Sequence, residues 1–426
     1  MKILIFCNII ISMKRISIFF VILLFAGMTV FAQSQDMSFF TQELNRSGAT
    51  IFEIRDVLQV VSEMNLTGIG DFYFGAINTY IRRLPDFPSS RERVAVEESA
   101  GYIIRGLAAE KHTAAAPQIW TLIQFFDIAS PPNDGKIMSQ AIVAMGEIGG
   151  RQYTQHITGF LDSYNTRTNI NDQIRTQIQL VVTGCTKALE ILSEPIGVKP
   201  VLVASTAWYD TDIRNIASNS LENLIESLRE VIGDIVYGIM QDPMNSLEVK
   251  NKAYSVLLGS HAPNEAKAKV AAAALEASYS FFPTSQNQNM IRSMRENSIN
   301  AIGRYGVAED YVYPYMDRTY IEAYYTANTD LQTMIMVIRV LSEVKTLEGV
   351  DILVGKLREI HTRRQSGLWT ENERILMRTI TQAIAIAGLR HPEASSLLTL
   401  ISMNSRYTAA EQSWARDALN VLNAIR

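Results

Sequence analysis

The sequence is poor in the residues that build disulfide frameworks, metal centres and fibres. Two cysteines in 426 residues exclude a disulfide-stapled scaffold. Five scattered histidines offer little for a metal centre, and 12 prolines with 23 glycines exclude a fibrous chain. No phosphate loop, H-E-x-x-H zinc helix, G-x-S-x-G elbow or C-x-x-C pair occurs, so no catalytic residue, cofactor or metal is assigned. A net charge of −4 argues against a nucleic-acid partner, which needs clustered Lys and Arg. What the chain does have is apolar mass: 47% hydrophobic residues exclude disorder and suit two or three ordinary domains or one repetitive array.

The amino terminus reads as an export signal over residues 1–32. Lys14-Arg15 precedes the apolar run from Ile16 to Met28, and Val30 and Ala32 stand three and one residues before a cleavage leaving Gln33 first. Met13 is an alternative start, and an uncleaved anchor is the alternative to cleavage. The expected location is the periplasm or the extracellular side of the cell envelope, with no membrane span left after cleavage. Loss of Lys2, Lys14 and Arg15 with no acid deepens the net charge from −4 to −7. One cysteine then remains, Cys185, in the apolar stretch Val181–Leu189 with no histidine near in sequence, and it reads as a buried small residue.

The dominant period is helical. Ile213, Ile216, Ala217, Leu221, Leu224, Ile225 and Leu228 recur at i, i+3 and i+4 spacings, one stripe along a helix. Ser89 with Glu92 fits a capping box, and Asp210 and Asp212 suit a helix start. Similar helix ends recur at Ser139–Gly150, Thr186–Leu192, Asn297–Gly306, Thr381–Gly388 and Arg416–Leu422. Each places a small residue before an aliphatic one, and many lead into a second amphipathic helix, such as Tyr153–Leu161, Val350–Ile360 or Glu393–Ile401. Gly68-Ile69-Gly70 lacks the third glycine of a dinucleotide loop and reads as an interhelical turn.

Two stretches carry a more specific pattern. Asp212-Ile213-Arg214-Asn215-Ile216-Ala217-Ser218-Asn219-Ser220-Leu221 resembles the Asp-x-x-Val-Arg-x-x-Ala-x-x-Ala-Leu signature of HEAT repeats. Glu248–Leu257 resembles it again, with Lys250 in the arginine position. The resemblance implies an all-α fold, a right-handed α-solenoid of stacked antiparallel helix pairs (HEAT/armadillo-like). It also implies binding of proteins or peptides over extended helical surfaces and an Asp–Arg ladder that is incomplete here. Turns near residues 110, 149, 196, 261, 306, 346 and 389 recur at about the interval of such repeats. About eight or nine repeats are expected in a single array over 33–426. It closes on a capping helix at about 409–426, with Trp414, Ala415, Ala418, Leu419, Leu422 and Ile425 inward and Glu411, Gln412, Arg416 and Asp417 outward.

Two segments are candidates for partner binding. Tyr305, Tyr311, Tyr313, Tyr315, Tyr320, Tyr324 and Tyr325 crowd into twenty-one residues, interleaved with Glu309, Asp310, Asp317 and Glu322. Tyrosines suit a binding surface, and they equally fill an interhelical core with their hydroxyls reaching water. The second segment, His361–Thr370, reads as an extended polar loop carrying Arg363, Arg364 and Trp369. The expected function is a non-catalytic, exported scaffold holding a protein partner. A glycan- or cell-wall-binding protein using the tyrosines is the alternative. An α/α-toroid carbohydrate-active enzyme is a third reading. It would need two carboxylates opposed across a cleft, and Glu309, Asp310 and Asp317 lie too close in sequence to supply both walls.

Overall fold

A computed structural model describes residues 33–86, 92–129, 134–167, 172–325 and 330–425. The export segment and Ser89 therefore lie outside the described residues. Among those described, twenty α-helices and four short 3-10 turns make up the regular structure, and no helix is long and apolar enough to cross a membrane. The chain divides into two compact units, one within Met1–Ile157 and Thr168–Ala188, the other within Thr158–Arg167 and Leu189–Arg426.

The first eight helices are α1 (Gln33–Asn45), α2 (Ile51–Glu63), α3 (Gly70–Arg83), α4 (Arg93–Ala109), α5 (Ala116–Phe125), α6 (Gly135–Glu147), α7 (Thr154–Asn165) and α8 (Asp172–Leu192). Then follow α9 (Val198–Thr206), α10 (Thr211–Ser227), α11 (Ile232–Gln241), α12 (Leu247–Gly259), α13 (Asn264–Ser278) and α14 (Gln288–Tyr305). The last six are α15 (Val312–Tyr325), α16 (Leu331–Glu343), α17 (Leu347–Gln365), α18 (Glu371–Ala387), α19 (Pro392–Met403) and α20 (Ala409–Ala424). Consecutive helices pair as antiparallel hairpins, and alternate helices pack side by side. In the first unit α2, α4 and α6 form one layer and α1, α3 and α5 the other. In the second, α14, α16, α18 and α20 stack in one layer and α11, α13, α15, α17 and α19 in the other. This is the two-layer, all-α, HEAT-like architecture: no hairpin buries its apolar stripe alone, and its neighbours cover it.

Small residues set the spacing between helices. A Cβ added at Gly184 on α8 would meet the Ser139 carbonyl oxygen on α6 at 2.8 Å, and one added at Gly146 would meet the Ala188 backbone at 3.0 Å. Helix starts are capped by side chains. Thr50, Thr370 and Thr408 form capping boxes with Glu53, Glu373 and Glu411, and Asp134, Ser246, Asp330, Thr346 and His391 accept from first-turn N–H groups. Asp210 does occupy the N-cap of α10, but its side chain makes no cap hydrogen bond, and Asp212 sits in the first turn.

Cys185 is fully buried, and burial pushes its thiol well above the ordinary range, which suits an inert core residue. The stripe on α10 buries Ala217, Leu221, Leu224 and Ile225. The Asp–Arg ladder does not form at the two matched stretches. Arg214 reaches only the Thr211 hydroxyl at 3.4 Å, and buried Lys250 donates to the Met240 carbonyl at the end of α11 at 2.7 Å. There the cation meets the negative end of a helix dipole in place of an aspartate.

Two expectations need correction. The stretch His361–Gln365 is helix, the last turn and a half of α17, and only Ser366–Trp369 is loop. Nothing between Leu357 and Gln365 breaks a helix, and the left-handed turn comes only at Gly367, φ +75°. On α20, Glu411 does not face water: it is 1% exposed, because the capping box folds its carboxylate back onto the Thr408 N–H at 2.8 Å. Ala415, Ala418 and Leu422 are buried as expected, with Trp414, Leu419 and Ile425 half-buried.

Candidate functional site

The tyrosine segment is largely a structural element. Tyr313 and Tyr320 are buried, Tyr305, Tyr311, Tyr315 and Tyr324 are half-buried, and only Tyr325 is open to solvent. Pro314 falls in the first turn of α15, where its missing N–H costs nothing, so the segment enters a helix instead of a loop. The Tyr313 hydroxyl shares a 2.6 Å hydrogen bond with Thr346. Tyr315 stacks on Tyr279 at 5.3 Å, and the guanidiniums of Arg295 and Arg318 lie 3.7 and 4.4 Å from the Tyr279 ring centre. Lys356 pairs with Asp317 at 2.8 Å, so that carboxylate is committed to the helix packing, whereas Glu309 and Asp310 lie exposed in the turn before α15.

The structure brings the two candidate segments together. The Tyr324 hydroxyl, at the end of α15, donates to Glu373 on α18 at 2.9 Å, and the Arg363 guanidinium donates to the same carboxylate. Burial pushes the Tyr324 hydroxyl up to about 12, assisted by its bond to Glu373. Burial alone would raise the Glu373 carboxyl, but bonds from Arg363, Tyr324 and Thr370 outweigh it and hold the group below the usual carboxylate range. One helix pair further on, the arrangement repeats. Arg364 and Arg374 approach Glu411 at 3.6 and 3.3 Å, and the Arg364 guanidinium lies 4.4 Å over the half-buried Trp369 ring. Trp369 and Tyr407 meet at right angles at 6.4 Å, and Tyr407 hydrogen-bonds His361 at 2.8 Å. Arg364 also donates to the Arg406 carbonyl at 3.0 Å, and Arg406 donates to the carbonyl and side-chain oxygens of Gln365 at 2.6 and 3.0 Å. Turns some forty residues apart are thus tied together by arginine.

These stitched turns lie on one edge of the second unit, where each helix of the odd-numbered layer gives way to its even-numbered partner. That edge carries a row of apolar side chains, one per hairpin from α11 to α20: Met244 is 88% exposed, Phe282 86%, Tyr325 78%, Leu368 60% and Met403 80%. The backbones of three of them are held by side chains. Asp242 accepts from the Met244 N–H at 2.9 Å, Asn287 donates to the Phe282 carbonyl at 3.1 Å, and Arg363 donates to the Leu368 carbonyl at 3.2 Å. Exposed apolar tips on turns whose backbone is held, as at Met244, Phe282 and Leu368, are what a surface kept for a partner requires. Met244, Phe282, Leu368 and Met403 were not among the sequence candidates. Their one local signal is an apolar residue beside turn formers, as in Asp242-Pro243-Met244 and Phe282-Pro283.

Among the described residues, no group of three or more His, Cys, Asp or Glu side chains could hold a metal ion. His391 caps α19 and contacts Asp351 at 2.5 Å, and His261 contacts Glu226 at 2.9 Å.

No family model matches the sequence, and no curated protein matches it. Among solved structures, the chain is similar to a crystal structure of importin beta in a polyethylene glycol condition, at 10% identity and a TM-score of 0.36. The match covers 92% of this chain and 55% of that one, so the chain spans about half the length of the neighbour.

Proposed function

We propose that the chain is a non-catalytic helical-repeat scaffold, exported to the cell envelope, which binds another protein through the turn edge of its second unit. The row Met244, Phe282, Tyr325, Leu368 and Met403 carries this reading. Large apolar side chains exposed once per repeat are costly in water and become favourable only when covered. Methionine and aromatic side chains are also enriched in protein interfaces. The export step rests on the basic, apolar and small-residue sequence of residues 1–32.

The test is affinity capture from envelope extracts with the chain from Gln33 onward, read by mass spectrometry beside a Phe282→Ser/Met403→Ser variant. One protein recovered by the parent and lost by the variant supports the reading. Recovery of glycan alone overturns it. Export is tested by fusing residues 1–32 to a reporter that is active only outside the cytoplasm, and a silent fusion removes that part.

A further inference from the structure

The last three hairpins of the second unit add charge to the apolar row. Tyr325, Leu368 and Met403 stand at the ends of α15, the α17–α18 turn and α19, whose helices pack side by side. Packed helices lie about 8–10 Å apart. A chain in the extended polyproline II form rises about 3.1 Å per residue with three residues per turn, so every third side chain lies on one face, about 9 Å apart, and meets one tip.

Around these tips stand Arg363, Arg364, Arg374 and Arg406. Two carboxylates that answer them, Glu373 and Glu411, are withdrawn into helix caps at 1% exposure each, with their bonding capacity spent on Thr370, Thr408, Tyr324 and the arginines. The guanidiniums remain partly open, and Arg406 is exposed with neutral acceptors on Gln365. Two further acids lie nearby: Glu371 is 3.5 Å from Arg374, and Asp330 is 2.7 Å from Arg292. A partner meeting this edge therefore meets apolar tips set among cationic faces.

We infer that this edge docks an extended acidic segment of a partner protein, with apolar side chains at about every third position and aspartate or glutamate between them. This deepens the protein-binding reading and rests on it. The apolar side chains would cover the three tips, and the carboxylates would meet the outer faces of Arg406 and Arg363, where charge fixes register and raises the on-rate.

The test uses the chain from Gln33 onward and three fluorescent twelve-residue peptides with leucine at every third position. The residues between are aspartate and serine, asparagine and serine, or lysine and serine. The aspartate peptide should bind about tenfold tighter than the lysine peptide and lose its advantage as salt screens the arginines. Leu368→Ser/Met403→Ser should weaken binding by about tenfold or more with unchanged thermal unfolding, and Arg406→Glu should reverse the peptide preference. Equal binding of the lysine peptide, or binding indifferent to the edge substitutions, overturns the inference. So does binding to anionic vesicles with no peptide bound. If the parent captures a protein from extract and the edge variants capture it equally, this docking site fails while the scaffold reading stands.

Discussion

The two turn edges of the second unit are built differently. At three of the turns where even-numbered helices give way to odd ones, the chain reverses on a left-handed residue: Gly306 at φ +99°, Lys345 at +50° and Gly388 at +63°. Where odd helices give way to even ones, one turn also uses a left-handed residue, Gly367, but Asp242, Asn287, Arg363 and Arg364 bond backbone groups at the described turns, and large apolar residues more than half exposed stand along the edge. The first edge exposes less apolar surface at its turns, where Val231 is 46% exposed and Leu347 53%. The second spends hydrogen bonds to hold side chains where folding alone gains nothing from them. The difference separates residues that serve the fold from residues available to a partner.

The largest effect that would break this contrast comes from the end of the array. Truncation before residue 410 removes α20 and uncovers the apolar faces of α18 and α19 that pack against it. The account expects aggregation or rapid proteolysis, and cooperative melting at the parent temperature would refute it. Glu373→Ala comes next, since it leaves Arg363 and the α18 cap without their buried acceptor. About 3 kcal/mol of stability should be lost in denaturant unfolding. Gly388→Ala probes the tight edge, and placing a side chain at that left-handed position should cost about 1 kcal/mol.

A pH titration gives a smaller effect. Burial lowers the folded pKa of His361 below its ordinary 6.5. The unfolded chain therefore binds the proton more readily, and stability is complete above about 6.5 and falls as pH drops toward the folded value. His361→Gln should flatten that part of the profile without touching the steeper acid limb, to which Glu373 contributes below its ordinary value of 4.5. The smallest stability change belongs to the tips. Met244→Ser or Met403→Ser should shift unfolding by less than about 0.5 kcal/mol, as exposed substitutions do. A large loss there would place those side chains in the fold and erase the contrast.

The two edges also differ in how far they can be read from sequence. The turns near residues 110, 149, 196, 261, 306, 346 and 389 all lie where even helices give way to odd ones, because tight reversals draw on local signals of glycine, polar residues and resumed periodicity. The opposite turns depend on contacts between residues far apart, such as Arg364 with Arg406 and Tyr324 with Glu373, which no local window contains. The tyrosine cluster was visible by composition, and filling of the interhelical core was one of its readings, but which rings are covered was not legible, since packing that one helix does not encode buries Tyr313 and Tyr320. The buried state of Glu373 and Glu411 was within reach: Thr370-x-x-Glu373 and Thr408-x-x-Glu411 are legible capping boxes, and a boxed glutamate turns back from water.

The most direct test of the central claim is site-specific photo-crosslinking in envelope extract. A crosslinking amino acid is placed at Met244, Phe282 or Met403 on one edge and at His261, Lys345 or Arg390 on the other. The account predicts one protein adduct shared by the first three positions and absent from the second three. Adducts from His261, Lys345 and Arg390 with none from the apolar tips would contradict it.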